Sequence, residues 1–368
     1  MVEWKKLGDV CSVHTGGQLN RDNMIEDGKY PVVNGGREFS GYTNSFNEKA
    51  NSITISQGGE SAGFVNWIIT NFWAGAHCYV VEHKDTVNRR YLYHTLKNKE
   101  RDIQLSKQGA GIPGLNRDTL YKQIIPIPSL SEQARIVGIL DTFTASIENL
   151  KQQIAERRKQ YEYYRDQLLD LEGEEGVEKK TLGKIGKCVA GATPSTKVNS
   201  YWENGDIPWM NSGEVHQGIV RQTASFITQK GYENASTKML PINTIVIALA
   251  GQGKTRGSVA ITAIELCTNQ SLCGVIIKDA NIINKFIYYY LKTRYDDLRR
   301  ISSGDGTRGG LNLKMIGSYN VPIPSLKHQS RIVSILDTFE ASIQNLEAQL
   351  KEREKQYEYY RNKLLTFE

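Results

Sequence analysis

A glycine-rich string with a lysine, GQGKT at 251–255, most nearly resembles a nucleotide-binding motif in this sequence. A phosphate-binding loop of the P-loop type needs a glycine five residues before Gly253, and that position holds Ala248. The corresponding stretch of the N-terminal half, ITISQGGESAGFV at 53–65, has no lysine. The sequence therefore does not favour nucleotide binding here. A simple strand turn and a polar loop that touches DNA are the two alternatives.

Other side chains that could do chemistry lack the spacing that the chemistry needs. The six histidines are scattered, without metal-ligand spacing or an evident catalytic partner. Glu82 and Lys84 have the Glu-x-Lys form of a nuclease core, but no suitable acidic residue precedes them nearby. The Pro-Pro strings of amino-methyltransferases are missing, and the five cysteines form no CxxC pair and are predicted to be reduced, buried thiols. We therefore predict a non-catalytic chain without a metal site or cofactor of its own.

The dominant feature of the sequence is a duplicated segment. Residues 126–172 align without a gap on residues 322–368, and 32 of the 47 positions are identical. Apolar and aromatic residues recur in each copy at alternating steps of four and three, the spacing of a coiled-coil seam. Each copy is predicted to form one helix of about forty residues, roughly 60 Å long.

The two helices are predicted to pair with each other in an antiparallel arrangement. A single globular domain can then bridge the end of the first helix and the start of the second. The alternative is that each seam packs onto its own globular domain. On the heptad register, the residues predicted to pack between the helices are Phe143, Ile147, Leu150, Tyr161, Tyr164, Phe339, Ile343, Leu346, Tyr357 and Tyr360.

The string QYEYYR occurs in both copies, at 160–165 and 356–361. Two of its tyrosines in each copy lie on the seam, whereas Tyr163 and Tyr359 lie off it. We therefore expect Tyr163 and Tyr359 to be available to a partner subunit.

The segments outside the repeat carry the positive charge. The net charge is +2 over 1–125 and +8 over 177–321, against −4 over 126–176 and 0 over 322–368. Each long segment has a lysine-containing lead, a strand with a glycine-rich turn, a helix-like stretch and a closing loop that contains GLN. These features predict two compact domains that bind a polyanion.

The predicted fold class is α+β, with two globular α/β domains separated by a pair of long antiparallel coiled-coil helices and related by a pseudo-two-fold axis. The predicted boundaries are 1–125 for the first domain, 126–172 for the first helical spacer, 173–321 for the second domain with a short linker at 173–178, and 322–368 for the second helical spacer.

The chain consists of two dissimilar segments, each followed by a nearly identical helical segment that begins PIPSL. This organisation resembles the specificity subunit of type I restriction-modification systems over essentially the whole chain. The resemblance implies that the two globular domains are target-recognition domains, each of which reads one half of a split, asymmetric duplex DNA site. It also implies two modification (methyltransferase) subunits as partners and, in systems that cleave DNA, restriction-translocase subunits. N6-adenine methylation from S-adenosylmethionine and cleavage driven by ATP with Mg would belong to those partners.

The predicted DNA contacts are long polar side chains on exposed loops, because Arg and Lys reach guanine or phosphate and Asn and Gln pair with adenine. In the first domain they are Asn34, Arg37, Ser56, Gln57, Glu60, Ser61, Lys107 and Gln108. In the second domain they are Lys197, Asn211, Ser212, Gln252, Lys254, Arg256, Thr307 and Arg308.

No apolar run approaches the length of a membrane span, and the N-terminus lacks an apolar signal region, so we expect a cytoplasmic protein. Two other classes of function are alternatives: a coiled-coil protein-interaction scaffold without DNA specificity, and an ATP-using enzyme built on 251–255. Salt-sensitive, sequence-selective binding of duplex DNA would distinguish a DNA-reading subunit from the scaffold. Nucleotide binding by the isolated chain would favour the enzyme.

Overall fold

The computed structural model describes residues 2–107, 114–251, 255–302 and 310–367. The chain divides into two compact units. The first unit contains Met1–Gln153 and Leu346–Glu368, and the second contains Ile154–Asn345. Each of the two long helices contributes residues to both units.

The N-terminal part of the first unit is a mixed α/β domain. Its elements are β1 (Glu3–Lys6), α1 (Leu7–Val10), β2 (Cys11–Thr15), β3 (Tyr30–Val33), β4 (Gly41–Thr43), β5 (Ser52–Ser56), β6 (Val65–Ile68), β7 (Trp73–Ala74), β8 (Cys78–His83), α2 (Arg89–Asn98), α3 (Glu100–Leu105), α4 (Arg117–Tyr121) and β9 (Ile124–Ile127). A four-stranded antiparallel sheet has the order β2-β8-β5-β6, and a three-stranded sheet has the order β4-β3-β7. Helix α2 packs its buried face, with Tyr91, Leu92 and Leu96, into the core of the larger sheet.

The first long helix, α5 (Leu130–Leu169), follows β9. The second unit then has the same order of elements, with some additional ones. They are β10 (Glu178–Thr181), α6 (Leu182–Ile185), β11 (Gly186–Ala190), β12 (Ile207–Met210), β13 (Ile219–Val220), β14 (Ser225–Ile227), α7 (Gln229–Glu233), β15 (Ile245–Ala248), β16 (Val259–Thr262), β17 (Cys267–Thr268), β18 (Leu272–Ile277), α8 (Asn284–Thr293), α9 (Tyr295–Ile301), α10 (Leu313–Ser318), β19 (Asn320–Ile323) and the second long helix, α11 (Leu326–Leu365).

The second unit differs from the first mainly by insertions. Its larger sheet has five strands in the order β11-β18-β15-β16-β13, and its smaller sheet has the order β14-β12-β17. Strand β13 and helix α7 have no counterpart among the described elements of the first unit. Of the second unit's two described 3-10 helices, the first, Asn199–Tyr201, corresponds in order to Arg21–Asn23 of the first unit, and the second, Ser212–Gln217, has no counterpart there. The α+β fold class with two globular domains is thus confirmed.

The two repeated segments form helices of 40 residues each, as the heptad pattern predicts. The PIP at the start of each copy is not helical, because its first two residues form the end of a strand. Strand β9 pairs with the lead strand β1, and β19 pairs with β10, in antiparallel ribbons. At both helix starts a serine hydroxyl accepts a backbone N–H three residues later, from Glu132 to Ser129 and from His328 to Ser325, each at 3.3 Å. The two helices therefore begin with the same cap.

The helices pack antiparallel in the first unit. From Ala145 to Gln153 on α5, the facing residues of α11 run backwards from Gln356 to Gln349, around a groove of about 570 Å³. Phe143 stacks on Tyr360 with ring centroids 5.2 Å apart. In the second unit the same pair occurs with the helices exchanged, because Phe339 of α11 stacks on Tyr164 of α5 at 5.6 Å. The symmetry of the sequence repeat is thus visible in the contacts of each unit.

The remaining predicted packing residues lie on α5 and α11, and among them Tyr357 contacts His94 of α2. Leu150 and Tyr161 are buried, and Ile147, Ile343, Leu346 and Tyr357 are half-buried. The arginines of the seam lie over phenylalanine rings, Arg353 over Phe143 and Arg157 over Phe339. Each guanidinium group therefore lies over an aromatic face within the seam, where the ring attracts its charge.

All five cysteines are free thiols, and Cys188 alone is not fully buried. Burial raises the pKa of Cys11 and of Cys78 to about 12. Among the described residues, no helix is long and apolar enough to cross a membrane.

Candidate nucleic-acid interface

The central hairpin loop of the first unit, residues 57–64, connects β5 to β6. The Ser56 N–H donates to the Phe64 carbonyl at 2.9 Å, and the Gly63 N–H donates to the Ser56 carbonyl at 2.8 Å. Gly63 has a φ of +89° and its α-carbon faces Gln104, so a side chain here would be strained in its backbone and would also contact α3. The base of this loop is therefore closed against the domain.

Two neighbouring segments meet the central hairpin loop. Gln57 donates its N–H to the His77 carbonyl at 2.9 Å and accepts the Leu115 N–H at 2.7 Å. The Lys107 ammonium lies 3.3 Å from the Glu60 carbonyl oxygen, and the Arg37 guanidinium lies over the Phe64 ring. The structure thus brings Arg37 and Lys107, which are far apart in sequence, to the loop that holds Glu60 and Ser61.

Asn34 and Ser56 have structural environments that the sequence did not indicate. The Asn34 side-chain oxygen accepts the His77 N–H at 3.2 Å, so it holds the turn beside the loop. Ser56 is in the last position of β5 and is buried. The expectation that Ser56 lies on an exposed loop is wrong, because the central strand continues to this residue with β8 on one side and the hairpin closure on the other.

The predicted residues of the second unit fall in separate places. Lys197 is exposed on the segment before the first 3-10 helix. Asn211 caps the second 3-10 helix, with its side-chain oxygen accepting the Gly213 N–H at 2.8 Å and its amide donating to Glu214 at 2.8 Å. Ser212, half-buried, begins that helix.

Arg256 lies shortly before β16 and is 8% exposed. The Arg299 guanidinium donates to its carbonyl at 3.4 Å. The expectation of an exposed Arg256 is wrong, because α9 packs against this segment. Five further predicted contacts lie outside the described residues: Gln108, Gln252, Lys254, Thr307 and Arg308.

The GLN string that both halves share, at 114–116 and 310–312, has the same structural role in each unit. In each unit the N–H of its leucine donates to the backbone carbonyl of the residue that directly follows the central strand. Leu115 donates to Gln57, after β5, at 2.7 Å, and Leu311 donates to Leu249, after β15, at 2.9 Å. The asparagine that follows caps the next helix, Asn116 for α4 and Asn312 for α10.

Sequence reasoning missed an ion pair behind the first unit's central hairpin loop. The Lys97 ammonium donates to the Val65 carbonyl at 2.9 Å and to the Glu100 carboxylate at 2.5 Å. The same carboxylate oxygen accepts the Val65 N–H at 2.8 Å. Burial lowers the pKa of Lys97 from its ordinary value, and the nearby guanidinium groups Arg361 and Arg37 act in the same direction, whereas Glu100 opposes them.

A second missed feature is a polar network where α2 meets the long helices of the first unit. The Asp141 carboxylate accepts from Arg90 at 2.7 Å and from His94 Nε2 at 2.8 Å, and the other ring nitrogen of His94 lies 3.1 Å from the Tyr357 hydroxyl. Burial lowers the pKa of His94, although its hydrogen bond to Asp141 opposes this. Burial alone would raise the pKa of Asp141, but the hydrogen bonds from His94 and Arg90 hold it below its ordinary value.

The second unit has the equivalent network with different residues. Asp337 pairs with Lys285 at 2.7 Å, and the Tyr289 hydroxyl lies 2.6 Å from Asp337 and 3.0 Å from Glu340. The Tyr161 hydroxyl donates to the other oxygen of Glu340 at 3.2 Å. Burial and the two carboxylates raise the pKa of Tyr289.

A buried glutamine ties each long helix to its own domain, and this explains the glutamine that follows PIPSL in both copies. Gln133 accepts the Asn88 N–H at 2.7 Å and donates to the Pro128 carbonyl at 2.9 Å. Gln329 accepts the Ile283 N–H at 2.9 Å and donates to the carbonyls of Pro324 and Asn281. Helices α5 and α11 are therefore fixed to α2 and α8 by the same amide contacts.

Comparison with known proteins gives one consistent result. Residues 1–157 and 174–354 match the family model described as "Type I restriction modification DNA specificity domain". The chain is 32% identical over 390 residues to the EcoR124I/EcoR124II type I restriction enzyme specificity subunit of Escherichia coli, covering 100% of this chain and 94% of the relative. It is 28% identical over 391 residues to the Haemophilus influenzae protein named "Putative type I restriction enzyme specificity subunit S.HindORF215P", covering 100% of this chain and 96% of the relative.

The fold matches a solved structure over its whole length. The crystal structure of a type I restriction-modification S subunit from M. genitalium superposes with a TM-score of 0.72 at 22% identity, covering 100% of this chain and 97% of that chain.

Proposed function

The chain belongs to the type I restriction-modification DNA specificity family, and from this premise we propose that its two units read the two unlike halves of one asymmetric, bipartite duplex DNA site. Its role in DNA sequence specificity follows from the family. In the proposal it positions methyltransferase subunits, and restriction subunits where they exist, for N6-adenine methylation or ATP-dependent cleavage.

One observation carries the proposal for an asymmetric site. The two units have the same order of strands and helices, but the loops that could face DNA differ in sequence and in structure. The first unit has Arg37 beside Phe64, whereas the second has an inserted 3-10 helix capped by Asn211. Protein symmetry is mirrored in the symmetry of a DNA site, so unlike loops on alike scaffolds favour unlike half-sites. Apart from the buried Ser56 and Arg256, all the contacts expected from the sequence remain predictions. Those with exposed or half-buried side chains are Asn34, Arg37, Gln57, Glu60, Ser61, Lys107, Lys197, Asn211 and Ser212.

The exposed tyrosines of the two long helices support two copies of one modification subunit as partners. Tyr163 is 60% exposed and Tyr359 is 58% exposed, and each contacts the next tyrosine edge-on. Because both side chains are exposed, packing within the chain does not explain why the same aromatic residue occurs at the two equivalent positions. A surface that occurs once per unit fits one copy of the same partner per unit, and tyrosine is enriched at such interfaces.

In this proposal the chain itself carries no catalytic step. The sequence lacks a complete P-loop and the methyltransferase strings, so S-adenosylmethionine, ATP and Mg would bind to the partner subunits. The complex would act on DNA in the cytoplasm.

Sequencing of methylated adenine in DNA from a host that expresses this chain with its methyltransferase partner tests the function. We expect a bipartite motif with two unlike halves. Methylation without a motif, or an unchanged methylome when the chain is omitted, would support the scaffold alternative instead.

The partner surface needs a separate experiment. Tyr163→Ala and Tyr359→Ala together should weaken assembly with the methyltransferase subunit, measured by sedimentation. The circular dichroism spectrum of the chain alone, which reports its folding, should not change. Assembly at wild-type affinity would contradict the assignment of this surface.

A further inference from the structure

Phe64, the last residue of the first unit's central hairpin loop, lies under two cationic side chains. The Arg37 guanidinium is 5.7 Å from the centroid of its ring, and the Lys97 ammonium is 4.2 Å from it. A cation is attracted to the face of an aromatic ring, and the attraction increases where water is excluded. Lys97 is 21% exposed in its side chain, so its position over the ring is largely shielded.

The position of Phe64 is set from behind by α2 and α3. The residue that follows it, Val65, is the first of β6, and both of its backbone polar groups are held by side chains. Glu100 accepts the Val65 N–H, and Lys97 donates to the Val65 carbonyl. Because Lys97 and Glu100 also pair with each other, the ring of Phe64 is connected to two helices through one ion pair.

Arg37, which lies over the Phe64 ring, has an exposed side chain. It makes no ion pair within the described part of the chain, so its N–H groups are not committed to a carboxylate there. A guanidinium that stacks on an aromatic face is held in orientation while its N–H edge stays free, and that edge matches the O6 and N7 acceptors of guanine. A lysine at this position would lack the planar group.

From these contacts we propose that Phe64, fixed by Lys97 and Glu100, is a positioning residue that holds Arg37 for recognition of a guanine in the half-site read by the first unit. This inference rests on the proposed function. It adds three residues, Phe64, Lys97 and Glu100, that no DNA-contact pattern in the sequence indicates, and it gives Arg37 a base rather than a phosphate as its target.

The test uses the chain assembled with its modification subunits. Binding is measured to a duplex with the full site and to duplexes in which each G·C pair of either half is replaced in turn. Arg37→Met and Phe64→Leu should each reduce discrimination at one G·C pair by about 5- to 150-fold, the range for a lost bidentate contact. Discrimination at the other half-site is the internal control and should stay unchanged. Phe64→Trp should discriminate as the wild type does, because the tryptophan ring also attracts the guanidinium.

A matched control is Lys29→Met, because Lys29 lies 5.3 Å from the Tyr30 ring in the same unit without contacting Phe64. It should leave discrimination at every pair unchanged. Equal losses at both half-sites would overturn the inference and indicate a general structural role. A uniform loss of affinity for all duplexes with a lower salt dependence would also overturn it, because Arg37 would then contact phosphate. If the wild-type complex discriminates at no pair, the proposed function itself fails.

Discussion

Lys97 and Lys292 occupy the same position in the equivalent helices α2 and α8, but their ammonium groups have different partners. Lys97 contacts Glu100 and the backbone beside the central hairpin loop. Lys292 lies 3.6 Å from Glu340 of α11. The difference follows from where the acidic residue lies, because Thr144 replaces Glu340 in the first unit and Tyr295 replaces Glu100 in the second. A single relocated carboxylate thus directs the same lysine to a loop in one unit and to the long helix in the other.

The comparison separates what the units share from what distinguishes them. Both have the glutamine anchor, the serine cap, the Phe–Tyr stack and the tie between GLN and the central hairpin region. They differ in the network around Asp141 and Asp337 and in the support of the loops. Shared contacts hold the scaffold, and the different contacts lie where loops or helix junctions meet it.

The largest effect is expected from the shared glutamine anchors. Gln133→Leu and Gln329→Leu each leave a backbone N–H and at least one backbone carbonyl without their glutamine partner, so we expect a loss of about 2–4 kcal/mol in the unfolding free energy of the affected unit. Local opening of α2 and α8, measured by hydrogen exchange, reports each unit separately. The exposed Gln160→Leu is the matched control. A loss confined to one of the two anchor variants would contradict the view that they are equivalent.

The two aspartates should differ. Asp141→Asn removes the carboxylate that His94 and Arg90 contact, and we expect it to cost about 1–2 kcal/mol, since Asp141 is partly exposed. Asp337→Asn should cost less than about 1 kcal/mol, because Glu340 still accepts from the Tyr289 hydroxyl. Urea unfolding of both variants measures this, and a larger cost for Asp337→Asn would reverse our interpretation.

The serine caps should be equal in the two units. Ser129→Ala and Ser325→Ala each remove a hydrogen bond to a backbone N–H at a helix start, and each should cost about 1 kcal/mol. Exchange of the amides in the first turns of α5 and α11 measures the two losses. A negligible loss at Ser325 alone would show that Glu132, which the second copy lacks, contributes to the first cap.

The smallest difference is expected in the response to acid. Burial lowers the pKa of His94 in the folded first unit, so the unfolded chain binds a proton near pH 6.5 that the folded chain does not. The stability of this unit should therefore fall as the pH drops below about 6.5. Asp141 stays charged in this range because its pKa is held low by the hydrogen bonds from His94 and Arg90.

The second unit is the internal control for this pH dependence, since Tyr289 occupies the position of His94 and its raised pKa keeps it neutral. Protection of α2 should decrease from pH 7.5 to 5.5, after correction for intrinsic exchange, and protection of α8 should change less. His94→Gln keeps both hydrogen bonds without titrating and should remove the difference. An unchanged pH response in His94→Gln would show that other groups cause it.

Features encoded by nearby residues could be predicted from the sequence. The heptad spacing gave two helices of the right length, and the glycine-rich strings marked the central hairpins. The contacts at the candidate interface could not be predicted, because they join positions such as 34 with 77 and 64 with 97. The burial of Ser56 and Arg256 was missed for the same reason, since it depends on how the hairpin packs on neighbouring elements.

The sequence by itself determined the plan of this protein: two charged domains of unlike sequence, each followed by one copy of a long helix. Its physical basis is periodicity, because a seam of apolar residues must be buried wherever the helix lies. Only the tertiary structure decided which polar side chains support the scaffold and which stay free at the surface. Asn34 and Asn211 are held by backbone groups of their own domains, whereas Arg37 rests on an aromatic ring. Burial and hydrogen-bond partners make that distinction, and both are set by residues distant in the sequence.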